Sequence, residues 1–155
     1  MLHECGVTPD GKTHALFLDV GQGDAVLLVS PSGKQILVDG GPDFSALAHL
    51  GKAMSFFDRT IELLVLTHPD RDHITALPEI LRRYHVKRVL LTGVEHALGR
   101  YEFFLALLRD LHIPLVLADS DDDFDVDSNL TLDILWPPKQ WDGGVRNIND
   151  TSIVL

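Results

Sequence analysis

Four potential metal ligands lie within six residues of this chain, in the segment THPDRDH at residues 67–73. Imidazole nitrogen and carboxylate oxygen are donors that suit zinc, manganese or iron. His68, Asp70 and Asp72 are two residues apart, so an extended turn would direct their side chains to the same side. His73 can then begin a helix and point back toward the same volume. The spacing therefore predicts a divalent-metal site.

A polar loop with Asp72 as a helix N-cap is the alternative explanation of this segment. Carboxylates crowded at the end of one strand repel each other unless a cation lies among them. A single His or Asp would favour the capping explanation, whereas four donors at this spacing favour the metal site. The single cysteine, Cys5, is distant in the sequence, so a purely structural zinc site is not expected.

Short apolar runs separated by turn residues predict the elements that position this loop. Residues 61–67 are apolar except for Glu62, which is typical of a strand covered on both faces. Other strands are predicted at 15–20, 25–30, 35–38, 86–91, 113–117, 130–136 and 151–155. Apolar residues at helical spacing predict helices at 44–57, 74–81 and 101–111. The order of these elements predicts a mixed α/β fold, with helices packed on a mixed sheet.

The composition indicates a globular chain with room for one domain, since 45% of its 155 residues are apolar and 23% are charged. Its net charge of −10 argues against a protein that binds nucleic acid by bulk charge. Bound metal ions would still allow an encounter with phosphate. One cysteine excludes a disulfide framework. No apolar run approaches the roughly 20 residues of a membrane span, and the N-terminus lacks the features of a signal peptide.

Three motifs, in order, resemble those of the metallo-β-lactamase superfamily: LDVGQGDA at 18–25, ILVDGG at 36–41 and the loop at 67–73. Within that superfamily they are similar to the metallo-β-lactamase-like domain of the ComEC competence proteins. The segment 149–155 resembles a further, Asn-rich part of that family. The resemblance covers about residues 16–155 and implies an αββα sandwich.

The resemblance also implies roles for single residues. His68 and Asp70 match ligands of a first metal ion, and Asp70 stands where most of the superfamily has histidine. Asp72 and His73 match ligands of a second ion and are the candidate catalytic residues. Three further carboxylates match positions behind the site or at its rim: Asp39, which would orient a ligand histidine, Asp24 and Asp19.

Two departures from the family pattern affect these expectations. Thr75 and Ala76 stand where relatives usually have two glycines, so access of substrate is expected to differ. The family's remaining ligands belong to segments that would follow residue 155. We therefore expect residues 1–155 to form a single metallo-β-lactamase-like domain that is truncated before its last ligands, with two zinc or manganese ions in the complete domain.

The activity implied by the resemblance is metal-assisted hydrolysis of a phosphodiester, with DNA as the expected substrate during DNA uptake. Two alternatives stay open: a hydrolase of a small ester, thioester or lactam, and a non-catalytic fragment that acts as a binding module. The chain would be cytoplasmic if it stands alone. It would lie outside the cytoplasmic membrane, next to a membrane channel domain, if it is part of a ComEC-like protein.

Two charged clusters lie outside these motifs. The acidic stretch 119–127 begins like a calcium loop, with Asp119, Asp121 and Asp123, but has Phe124 where that loop needs glycine. We expect a solvated turn there. The basic cluster at 82–88 is expected to be a solvated helix face, with a path for nucleic acid as the alternative.

Overall fold

The computed structural model describes residues 6–94, 99–120, 123–138 and 147–155. Cys5 lies outside the described residues, as does Asp121, the middle one of the three aspartates on which the calcium alternative depends. The strands are β1 His14–Phe17, β2 Val26–Val29, β3 Gln35–Val38, β4 Thr60–Ile61, β5 Leu63–Val65, β6 His85–Val86, β7 Val89–Leu91, β8 Leu115–Leu117, β9 Asp123–Asp127 and β10 Leu130–Asp133. The helices are α1 Ser45–Ala53, α2 Arg71–Ile74, α3 Leu77–Arg83 and α4 Gly99–Asp110, followed by a 3-10 turn at Ile148–Thr151.

Six strands form one mixed sheet in the order β1-β2-β3-β5-β7-β8. Short turns join β1, β2 and β3, so these strands are antiparallel neighbours. The later strands are reached through helical crossovers, and β3, β5, β7 and β8 are therefore parallel. The predicted mixed α/β fold is confirmed.

The sheet is covered differently on its two faces. On one face, Leu37, Leu64 and Val89 pack against the helices in a core that includes Ile74 and Phe104. On the other face, alternate residues of the same strands pack against the β9–β10 hairpin and the C-terminal segment. Leu63, Leu64 and Val65 are all buried, as expected for a strand covered on both faces.

Several predicted boundaries are corrected by the structure. The helix expected at 44–57 is limited to α1, the helix expected at 74–81 is divided between α2 and α3, and the strand expected at 86–91 is divided between β6 and β7. The solvated turn expected at 119–127 is wrong for its second half, which forms β9 because Phe124 and Val126 alternate with aspartates and pack on the sheet. The strand expected at 151–155 is reduced to one bridge, between Val154 and Trp136.

In the described part of the chain, no helix is long and apolar enough to cross a membrane; α4 has 12 residues.

Candidate metal centre

The loop at 67–73 lies where β5 ends, at the edge of the sheet where the carboxyl ends of parallel strands meet. Two backbone hydrogen bonds hold the neighbouring β3 against it: the Asp39 N–H donates to the carbonyl of Val65 at 2.8 Å, and the Gly40 N–H donates to the carbonyl of His73 at 2.7 Å. The loop is therefore fixed to the sheet at both of its ends.

Asp39 is buried at the centre of this arrangement, with 1% of its surface exposed. Its Oδ1 accepts from the Thr67 N–H at 2.9 Å, and its Oδ2 accepts from the Thr67 hydroxyl at 2.6 Å and faces His73 Nδ1 at 2.8 Å. Its backbone has a φ of +58°, in the left-handed region that aspartate tolerates better than most residues. These contacts agree with the expectation that Asp39 orients a histidine.

The hydrogen bonds determine which nitrogen of each imidazole carries the proton. An ionised carboxylate only accepts, so His73 Nδ1 must donate to Asp39. The Thr67 hydroxyl donates its only proton to Asp39, so its oxygen accepts from His68 Nδ1 at 3.0 Å. In the neutral form, both rings therefore carry their proton on Nδ1 and leave the lone pair on Nε2.

Each Nε2 faces one of the loop carboxylates. His68 Nε2 lies 3.9 Å from Asp70 Oδ2, and His73 Nε2 lies 3.9 Å from Asp72 Oδ1. The two rings are neighbours, with centroids 3.9 Å apart. The imidazoles are buried, whereas the side chains of Asp70 and Asp72 are 31% and 48% exposed, so solvent reaches the group from the carboxylate side.

These two imidazoles and two carboxylates suit a divalent cation, although they do not lie close enough together to form a single group. Two ligands that bond one cation at about 2.1 Å can be at most about 4.2 Å apart, and both nitrogen–oxygen pairs satisfy that limit. Among the described residues, no three His, Cys, Asp or Glu side chains are grouped closely enough to hold an ion. The four predicted ligands therefore form two pairs, His68 with Asp70 and Asp72 with His73.

The capping explanation of Asp72 is not what the structure shows. Helix α2 begins after Asp70, whose side chain makes no capping hydrogen bond, and Asp72 lies inside the helix. Capping therefore does not account for the two carboxylates.

The two imidazoles differ in their affinity for a proton. Burial lowers the pKa of His68, and repulsion by His73 lowers it further. Burial also lowers the pKa of His73, but the hydrogen bond and charge of Asp39, together with the charges of Asp72 and Asp24, more than offset this, so that its pKa is raised overall. Asp39 thus stabilises positive charge on His73.

The motif at 18–25 packs against the loop at 67–73. Gly23 has a φ of +108°, and a Cβ there would lie 2.2 Å from the carbonyl oxygen of Asp72. The charge of Asp24 contributes to the raised pKa of His73, which agrees with a position near the site. For Asp19 the structure shows only a backbone contact, from His49 Nε2 to its carbonyl at 2.9 Å.

Two hydroxyl groups complete the surroundings of the histidines, and sequence reasoning assigned a role to neither of them. Thr67 bridges Asp39 and His68, as described above. Ser152 Oγ lies 3.1 Å from His68 Nδ1, across 84 positions of sequence. An Asn147 capping box orders the turn before Ser152. Only the resemblance of segment 149–155 pointed to this region.

Comparison of this chain with known proteins identifies a matching family and several relatives. The model of the metallo-beta-lactamase superfamily matches residues 18–146. Recombination protein 2 of Haemophilus influenzae is 33% identical over 100 residues, which are 61% of this chain and 12% of that protein. Endoribonuclease YSH1 of Yarrowia lipolytica is 31% identical over 131 residues, which are 80% of this chain and 15% of that protein. The chain thus spans a small part of both relatives.

Solved structures show the same fold. Rm3 metallo-beta-lactamase matches with a TM-score of 0.56 and 20% identity, over 84% of this chain and 52% of that one. A structure described as the peroxy diiron species of chemotaxis sensor ODP matches with a TM-score of 0.57 and 16% identity, over 83% of this chain and 51% of that one. The chain spans about half of each.

Proposed function

The chain belongs to the metallo-beta-lactamase superfamily, whose members are generally metal-dependent hydrolases, and we propose that it provides part of the metal centre of a phosphodiesterase. The observation that carries this proposal is the orientation of His68 and His73. Hydrogen bonds to protein occupy Nδ1 of both rings, and Nε2 of both rings faces a carboxylate at 3.9 Å. Fixing Nδ1 in this way is how proteins prepare histidine ligands for a metal.

Each residue would have a separate task in such a centre. His68 and Asp70 would hold one zinc or manganese ion, and Asp72 and His73 a second, a division that agrees with the two pairs in the structure. Asp39 keeps the proton of His73 on Nδ1 and so keeps Nε2 available. A bound divalent cation supplies an acidic water and stabilises charge on the attacked oxygen. The burial of both imidazoles keeps bulk water away from the nitrogen side.

A phosphodiester is the substrate class that the relatives favour. One of them is described as an endoribonuclease and the other as a recombination protein. The net charge of −10 would repel a nucleic acid elsewhere on the surface, so that an encounter at bound cations is the favourable one. Within this class we propose a ComEC-type role in DNA uptake, supported by the order of the three motifs and by the match to Recombination protein 2.

We also propose that residues 1–155 are one part of a larger domain. The chain spans 51% and 52% of the two structures described above, and its described residues supply two ligand pairs but no group of three. The remaining ligands would come from outside these residues, and a membrane channel domain would belong to the same longer protein.

The test is a cleavage assay on the full-length protein with fluorescein-labelled single-stranded DNA and RNA, in manganese or zinc. We expect cleavage that chelator abolishes and that His68→Ala and Asp72→Ala reduce at least 100-fold, while His85→Ala, an exposed histidine on β6, has no effect. Retained metal and activity in the His68→Ala and Asp72→Ala variants would contradict the proposal. Preferential turnover of p-nitrophenyl acetate or nitrocefin over bis(p-nitrophenyl) phosphate would instead support the small-ester or lactam alternative.

A further inference from the structure

A cavity of about 280 Å³ lies next to the turn that follows α2. Phe44, which precedes α1, and Phe103, on α4, line this cavity together with Thr75 and Pro78. The two phenylalanines are 61% and 47% exposed. Two large aromatic side chains from separate elements thus leave their rings open to solvent around one cavity.

Two arginines line the same cavity. The Arg82 guanidinium lies over the Phe103 ring, with Cζ 5.4 Å from the ring centroid. Arg82 also forms a long ion pair with Glu79 at 3.5 Å, which neutralises part of its charge. Arg100 Nη1 donates to the Thr75 hydroxyl at 2.6 Å, and in the described part of the chain no carboxylate pairs with Arg100. Glu79 also lines the cavity, and its carboxylate pairs with both Arg82 and Arg83. The cavity therefore combines exposed aromatic faces, one carboxylate paired with two arginines and, at Arg100, a cation that lacks a counter-ion among the described residues.

We propose that this cavity binds one nucleotide of a single-stranded nucleic acid, with the base on Phe103 and a phosphate at Arg100. The proposal deepens the function proposed above and rests on it, because it supplies a binding site for the same substrate. Aromatic faces stack on any base, and an arginine binds phosphate through charge-assisted hydrogen bonds. A volume of about 280 Å³ lies just below the roughly 300 Å³ at which ligand sites typically begin, so the cavity suits one nucleotide better than a longer segment.

The position of Thr75 connects the cavity to the metal loop. Thr75 is two residues after His73, so their Cα atoms are at most about 7 Å apart. Thr75 also donates to the carbonyl of Arg71, inside the loop, at 2.6 Å. The cavity and the metal loop are therefore neighbours in the fold, and under this proposal the nucleic acid would extend from one to the other.

The test is fluorescence anisotropy of the full-length protein with labelled oligodeoxythymidine and oligouridine, in chelator and at several salt concentrations. Chelator prevents metal-dependent cleavage, so binding is measured separately from activity. The variants are Phe103→Ala and Arg100→Gln. The matched controls are Phe57→Ala, a 95% exposed phenylalanine outside the cavity, and Arg109→Gln, an 80% exposed arginine at the other end of α4.

We expect Phe103→Ala to raise the Kd about 5- to 150-fold, the range measured when one stacking side chain is removed. Arg100→Gln should weaken binding and reduce by about one the slope of the logarithm of affinity against the logarithm of salt concentration. Phe57→Ala and Arg109→Gln should leave the Kd unchanged, and thermal unfolding shows whether each variant is folded. Stronger binding of one oligonucleotide identifies which of the two nucleic acids the site prefers.

Three outcomes would overturn the proposal: no binding of either oligonucleotide, binding that folded Phe103→Ala and Arg100→Gln variants retain, or an equal loss in the control variants. The two proposals can fail separately. Binding that depends on Phe103 and Arg100 without any metal-dependent cleavage would support the nucleotide site and contradict the phosphodiesterase. Metal-dependent cleavage, with cleavage and binding both insensitive to these two residues, would support the phosphodiesterase and contradict the nucleotide site.

Discussion

Replacing Asp39 by asparagine should change which nitrogen of His73 carries the proton. The Thr67 N–H can only donate, so the new amide oxygen must take the place of Oδ1, 2.9 Å from that nitrogen. The amide NH₂ group then takes the place of Oδ2 and donates toward His73 Nδ1, 2.8 Å away. His73 Nδ1 must then accept, and its proton moves to Nε2, the atom that would bind the metal.

The expected magnitude follows from the contacts of Asp39. Loss of a residue that orients a metal-binding histidine typically costs 10- to 100-fold in affinity, or about 1.4 to 2.8 kcal/mol. Hydrogen bonds to a charged group contribute about 1 kcal/mol more than neutral ones. Asp39 takes part in three such hydrogen bonds, so the free energy of unfolding should fall by about 3 kcal/mol. The pKa of His73 should fall as well, because Asp39 contributes most to raising it.

Three measurements check this prediction. Long-range ¹H–¹⁵N NMR of the metal-free protein reports the tautomer of His73, competition with a chromophoric chelator reports zinc affinity, and urea unfolding reports stability. The exposed Asp110→Asn, at the end of α4, is the control and should change none of them. An Asp39→Asn variant whose His73 keeps its proton on Nδ1, or whose zinc affinity equals that of the parent, would refute the reasoning.

Three further predictions concern separate parts of the fold. Gly23→Ala should lower the free energy of unfolding by more than about 3 kcal/mol and weaken zinc binding, because its Cβ would collide with Asp72 in addition to the strain of a φ of +108°. Ser152→Ala should weaken zinc binding about tenfold with little change in Tm, since His68 Nδ1 loses one of two partners. Asp127→Asn should be less stable than the parent near pH 7 and should approach it as the pH falls well below 4. Hydrogen bonds from two serine hydroxyls and a backbone N–H hold the pKa of Asp127 well below its usual range, so its contribution is present above the unfolded pKa of about 3.9 and is lost in acid.

Each of these predictions has its own control and its own contradicting result. Gly21→Ala is the control for Gly23→Ala, because Gly21 has a φ of +76° but nothing lies within 4 Å of the new Cβ. Equal effects of the two substitutions would show that the collision with Asp72 contributes nothing. For Ser152→Ala, zinc titration is compared with thermal unfolding, and unchanged zinc affinity would show that Thr67 alone orients His68. For Asp127→Asn, thermal unfolding is followed from pH 2 to pH 7, and a difference in Tm that does not depend on pH would contradict the assigned cause.

The local part of the site could be predicted from the sequence because its residues are close together in the chain. The alternation of His68, Asp70 and Asp72 after an apolar run is enough to place them at one strand end, and the structure shows them there. Their division into two pairs could not be predicted from spacing, since it depends on how Asp39 and Thr67 hold each ring. The assignment of all four as metal ligands stays a prediction.

Two causes account for what the sequence did not predict: contacts between residues far apart in the chain, and a strand pattern hidden by acidic composition. The contact of Ser152 with His68 joins residues 84 positions apart, and no local pattern encodes it. Strand β9 was missed because its acidic composition is typical of a turn, whereas Phe124 and Val126 occur with the period of two that a strand requires. The apolar composition of residues 151–155 predicts a strand, but the 3-10 turn at Ile148–Thr151 leaves only a single bridge.

Diffraction at the zinc absorption edge, on crystals of the full-length protein grown with zinc, tests the central claim most directly. We expect an anomalous peak within bonding distance of Nε2 of His68 and of His73 and of the carboxylates of Asp70 and Asp72, with Nδ1 of both rings still hydrogen-bonded to protein. Zinc bonded through Nδ1, or bound only at sites away from these four residues, would contradict it.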